Sequence, residues 1–131
     1  MSAQRTIETR LATIELVRPD VVVIRYHEGI QFSTDGIAEV IATCERITDD
    51  PAFGVIGVLP NDGEMDLGAM QQEHSTAGFE HRVRAHALVA SDGLFKRLTE
   101  IHYAYHPQPY EIRMFTSEQE AMAWVLTVLA K

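Results

Sequence analysis

Asp62, Glu64 and Asp66 stand two residues apart in the stretch Asn61-Asp62-Gly63-Glu64-Met65-Asp66. Carboxylates that converge can act as general acid and base, or hold a hard cation such as Mg²⁺. Spacing alone does not show convergence, and the same residues suit a solvated loop whose charges keep apart. The histidines offer two further sets. His102 and His106 are four apart, which on one helix puts both imidazoles on one face, the beginning of a metal site. Pro107 frays that end and no third ligand stands at motif spacing, so surface and helix-end histidines are the simpler account. His74 and His81 would share a face two turns apart, beside Glu73 and Glu80, but Gly78 interrupts the helix between them. His27 and Glu28 follow an apolar run and reach toward a sheet edge. His86 alternates into one face of its own strand, as a partly buried, hydrogen-bonded residue more than as a base.

Other catalytic patterns are missing. Gly54/Gly57 and Gly63/Gly68 are too sparse for a phosphate cradle, and no Gly-x-Gly-x-x-Gly or Walker run opens a helix after the first strand. Ser75 and Ser91 lack the Gly-x-Ser-x-Gly elbow of a hydrolase. Cys44, the one cysteine, falls on the inward stripe of a helix and makes a poor nucleophile; alone, it forms no intrachain disulfide. Tyr103, Tyr105 and Tyr110 bracket His106 and two prolines, and either line a groove or lid one end of the core. The reading therefore assigns no catalytic residue, cofactor or metal, and leaves open whether the chain is an enzyme.

The elements that position these residues follow from periodicity. Leu11 to Val17 and Val21 to Tyr26 read as two strands joined by Arg18-Pro19-Asp20, an N-terminal hairpin. The run Val21-Val22-Val23-Ile24 lacks alternation, the mark of a strand buried on both faces. Ser33, Thr34 and Asp35 offer caps for a helix with Ile37, Val40, Ile41, Cys44 and Ile47 on one stripe. Phe53 to Leu59 is the next strand, and Asn61 to Gly68 an acidic loop. Met70 to Glu80 reads as a second helix, Arg84 to Ala90 as a strand. Asp92 caps a third helix with Leu94, Phe95, Leu98 and Ile101 inward, stopped by Pro107 and Pro109. Tyr110 to Phe115 is the last strand. Ser117 and Glu120 stand in capping-box spacing before a closing helix with Ala121, Trp124, Val125, Val128 and Leu129 on its stripe. This predicts Trp124 buried against the sheet. Strand-helix-strand units call for parallel pairing with right-handed crossovers.

The bulk properties bound the function. At 131 residues and 46% hydrophobic, the chain is the size of one domain, residues 1–131, with a real core. Its net charge of −8 repels nucleic acid and anionic lipid; Arg82, Arg84, Lys96 and Arg97 are the one candidate basic patch. No stretch reaches the roughly 20 apolar residues of a membrane helix. The first ten residues lack the apolar core of a secretion signal, so a cytoplasmic location is expected.

Three stretches carry a family resemblance: LATIELVRPDVVVIRYHEG, VRAHALVASDGLFKRLTEI and YEIRMFTSEQEAMAWVLTVL. From Leu11 to Leu129 the chain resembles small bacterial SpoIIAA-like proteins of the STAS/SEC14 type. The resemblance implies an α/β fold: a mixed sheet of four to five strands, an N-terminal β-hairpin and about four helices. It also implies binding of protein partners. STAS regulators are phosphorylated on a serine that follows an aspartate after the third strand. Asp62 occupies that region here, but no serine or threonine lies between Leu59 and Gly68, so the phospho-switch is missing.

Two function classes follow. The first is a non-catalytic protein-interaction or regulatory domain, with Asn61, Asp62, Glu64 and Asp66 as partner-binding residues. The second is a small-molecule or lipid-binding protein, or a small enzyme using Asp62 and Glu64 at a strand-end pocket. A homodimer is also expected, through a helix face bearing Met122, Leu126 and Leu129 or through an exposed sheet edge.

Overall fold

The structure, a computed structural model, describes residues 5–48, 51–60, 63–65, 82–90, 97, 100 and 111–130. In chain order these form β1 (Arg5–Glu8), β2 (Ala12–Arg18), β3 (Val21–Tyr26), β4 (Ile30–Phe32), α1 (Thr34–Ile47), β5 (Phe53–Val58), β6 (Gly63–Met65), β7 (Val83–Val89), β8 (Glu111–Phe115) and α2 (Glu118–Leu129). Six strands make one sheet in the order β1-β2-β3-β5-β7-β8, and β4 pairs with β6 in a second, two-stranded sheet. The β1–β2 and β2–β3 pairs are antiparallel; β3, β5, β7 and β8 run parallel.

The expectation of four to five strands and about four helices is overturned: the described residues form a six-stranded mixed sheet and two helices. The added strand is β1, whose Ile7 pairs with Ile14 of β2. Four residues with one aliphatic side chain carry no readable alternation, so β1 exists because β2 offers it a ladder. The stretches read as two more helices, Met70 to Glu80 and Asp92 to Tyr105, lie outside the described residues apart from isolated helical positions at Arg97 and Glu100.

β3 is central, as its unbroken β-branched run requires. Val22 and Ile24 join Ile14, Val55 and Phe53 under Val40, Cys44 and Ile47 of α1. Val21 and Val23 face the other way, with Ile56, Ala85 and Ala87 under Ala121 and Val125 of α2. All of these are at most 3% exposed, and each valine or isoleucine so buried contributes about 1.5–3 kcal/mol. α2 comes very close to β5: a Cβ on Gly54 would overlap Cγ1 of Val125. Both helices start on a serine cap. The Ser33 hydroxyl accepts from Gly36 N–H at 3.1 Å, and the Ser117 hydroxyl from Glu120 N–H at 3.2 Å while donating to the Glu120 carboxylate.

Candidate functional site

Open parallel sheets present ligand-binding loops beyond the carboxyl ends of their strands. At that end β3 leads to β4 through a turn in which Gly29 takes φ +70°, the left-handed region that favours glycine. β5 leads to β6, and β6 is not the free loop read from the sequence. Gly63, Glu64 and Met65 pair in parallel with Ile30, Gln31 and Phe32. Three residues with glycine and glutamate carry no strand signal; β4 supplies the ladder. Of the expected partner-binding residues, Glu64 therefore sits in β6 in register with Gln31. Asn61, Asp62 and Asp66 lie outside the described residues.

A polar lattice occupies the α2 side of the sheet over β1, β2 and β3. Arg25 donates through one nitrogen to Glu15 Oε1 and through the other to Glu118 Oε1, each at 2.9 Å. This ties the first residue of α2 to the end of β3. Beside it, His27 Nε2 lies 2.7 Å from Glu8 Oε1, and the Thr13 hydroxyl donates to the same carboxylate at 2.9 and 3.0 Å. His27 thus reaches the β1 edge of the sheet, as its place after the buried strand suggested. These carboxylates already hold cationic or hydroxyl partners, so the lattice orders strand ends and offers no free acid–base pair. Sequence reasoning missed it. Alternation along β2 and β3 would place Thr13, Glu15 and Arg25 on one polar face, but nothing local brings Glu118 to Arg25.

His86 lies inside the sheet on β7, beside Val55 of β5 and Ile112 of β8, and is 7% exposed. Burial pushes its imidazole down to about 4, so it is neutral near pH 7. Cys44 is fully buried; burial, with Glu45 nearby, pushes its thiol up to about 12, which disfavours the thiolate needed for nucleophilic attack. The basic patch also dissolves in part. Arg82 turns inward, donating to the carbonyls of Glu45 and Thr48 at 2.8 and 2.7 Å and stacking 5.0 Å over Phe53. It closes the carbonyl end of α1, where a cation complements the helix dipole. His74, His81, His102, His106, Ser75, Ser91, Tyr103, Tyr105, Tyr110 and Lys96 lie outside the described residues. Among the described residues no three metal-ligating side chains converge, and no helix is long and apolar enough to cross a membrane.

No protein-family model matches the sequence, and comparison with curated proteins finds no match. Comparison of structures does find one. The chain is similar to the crystal structure of an uncharacterised protein of the DUF3478 family from Shewanella loihica PV-4, described as having a SpoIIAA-like fold. The TM-score is 0.54 at 10% identity, over 94% of this chain and 92% of that one. The fold is SpoIIAA-like. At that identity the likeness extends to the fold and carries no residue role.

Proposed function

We propose that residues 1–131 form one non-catalytic protein-interaction or regulatory domain of STAS-like type, which binds a protein partner through Asn61, Asp62, Glu64 and Asp66 without a phosphorylated serine. The observation that carries the reading is the β4–β6 pair. It anchors the backbone of Glu64 just past β5, at the end of the sheet where parallel strands present their loops. Carboxylates on that segment do without phosphorylation what a phosphate does elsewhere: they present negative charge to a cationic partner surface. The non-catalytic part draws support from Cys44 and His86, whose reactive atoms are sealed in the core.

The test is the double variant Asp62→Ala, Glu64→Ala. Its circular dichroism should match the wild type and its stability stay within about 0.5 kcal/mol, because the backbone pairing of β6 with β4 does not depend on either side chain. A partner captured by the wild type from a lysate, identified and purified, should bind the variant more weakly, with a lower on-rate at low salt. Unchanged affinity in this variant, with binding lost on replacing Arg84 at a distant surface, would move the site. Turnover of a small molecule that disappears with these two carboxylates would replace the reading with an enzyme.

A further inference from the structure

β8 is the last strand of the six-stranded sheet, and among the described residues nothing pairs with its outer side. One hydrogen bond sets the direction of its backbone. The Phe115 carbonyl accepts from Ala90 N–H at 3.0 Å, toward the β7 side. Along a strand the two backbone groups of a residue point the same way and alternate from one residue to the next. Glu111, Arg113 and Phe115 therefore turn their groups to β7, while Ile112 and Met114 turn theirs to the open edge. Side chains alternate as well. Arg113 lies on the α2 side, 5.4 Å over the Trp124 ring and 3.0 Å from Glu111 Oε2, and Ile112 lies on the opposite side with Leu59, Leu88 and Ala90. Glu111 and Arg113 are both more than half exposed, at 56% and 57%.

We propose that two copies of this chain associate by antiparallel pairing of their β8 edges, about a twofold axis through Ile112 perpendicular to the sheet. The argument is charge complementarity in a fixed register. Ile112 of each copy meets Ile112 of the other and exchanges two N–H···O=C bonds with it, because its backbone groups face the open edge. Glu111 then stands opposite Arg113 of the second copy, and Arg113 opposite Glu111 of the second copy. These are the non-hydrogen-bonded positions, where facing side chains come closest. Both ion pairs fall on the α2 side of one continuous sheet. Moving the axis by one residue, to Arg113 or to Glu111, sets like charges against each other, which disfavours it. The acid–apolar–base triplet of β8 therefore selects one partner, another copy of itself, and one register. A bare edge strand is otherwise an open template for pairing with any exposed strand. This association does not depend on the acidic segment around β6.

Charge reversal with rescue tests it. By sedimentation velocity at tens of micromolar, the wild type should be a dimer. Glu111→Arg sets one guanidinium against another, that of Arg113, twice per dimer. It should weaken association about tenfold, two cross-strand pairs passing from attraction to repulsion. Arg113→Glu should do the same. The double variant Glu111→Arg, Arg113→Glu restores the complementarity with signs exchanged and should dimerise as the wild type does. Both positions are surface-exposed, and far-ultraviolet circular dichroism checks that each variant keeps its fold. A monomeric wild type at these concentrations overturns the proposal. So does a dimer indifferent to the single reversals, or a double variant no tighter than either single one.

Discussion

His86 and Cys44 are held in the core in their neutral forms, and the two differ in what acid does to them. The unfolded chain protonates His86 near the ordinary value of 6.5, whereas the folded chain resists until about 4. Between those values the unfolded state holds more protons, so folding stability is fully present above about pH 6.5 and falls as pH drops toward 4. The whole of that window is worth roughly 3 kcal/mol, at 1.36 kcal/mol per unit. Urea midpoints followed from pH 7 to 4 should decline, and His86→Gln should flatten the decline. An unaltered slope would mean that other groups carry it. Cys44 gives a second, independent reading of the core. Its thiol should stay unmodified by a disulfide reagent at pH 8 in native buffer and react promptly in denaturant. Labelling of the native protein at the rate of a free thiol would contradict its burial.

α2 covers its side of the sheet across β5 and β7, and its aromatic residue sits toward β8, at the rim. Trp124 is half-buried, not enclosed as its place on the apolar stripe predicted; its ring lies 5.6 Å from Phe115, with the Arg113 guanidinium over it. A stripe fixes the direction of a side chain, not the depth of the layer over it. Enclosed tryptophans lose about 3–5 kcal/mol on truncation to alanine; Trp124→Ala should lose about 2–3 kcal/mol, part of its area being wet already. The tight position on this helix is Val125 against Gly54. Gly54→Ala should cost about 1–3 kcal/mol by urea denaturation, because the added methyl meets the Val125 side chain and the helix must lift. Val125→Ala in the same chain should recover part of that loss, a coupling that a double-mutant cycle measures directly. Additive losses would place the strain elsewhere.

The molecule sorts its charges by side and end of the sheet. Arg82 closes α1 at one end, while Arg25, Glu15 and Glu118 bind the start of α2 to β3 at the other. Arg82 is the stronger of the two devices, since its guanidinium donates to two carbonyls at the end of α1, those of Glu45 and Thr48. Arg82→Ala should cost about 2 kcal/mol and speed amide exchange in the last turn of α1. Arg25→Ala, which removes one pair with the half-buried Glu15 and one with the exposed Glu118, should change stability by about 1 kcal/mol, less than Arg82→Ala. If the two variants behaved alike, the inward turn of Arg82 would not be what holds the end of α1.

Much of the scaffold was legible in the chain itself because its signals are local. The β-branched run of β3 announced a strand buried on both faces. Ser33, and Ser117 with Glu120, announced where helices begin, and Ile37, Val40, Ile41, Cys44 and Ile47 which side of α1 turns inward. Three- and four-residue strands have no such signal. β1 exists because β2 presents it unpaired backbone groups, β4 and β6 exist only as each other's partner, and only the tertiary structure brings Ile30 beside Gly63 or Ile7 beside Ile14. The acidic spacing around Glu64 was readable, its place in a ladder was not. Arg25 and Glu118 meet across 93 positions of chain, where no periodicity reaches. That β8 has no outer neighbour among the described residues was likewise decided by the order of strands, a property of how the sheet is assembled and not of any one stretch of residues.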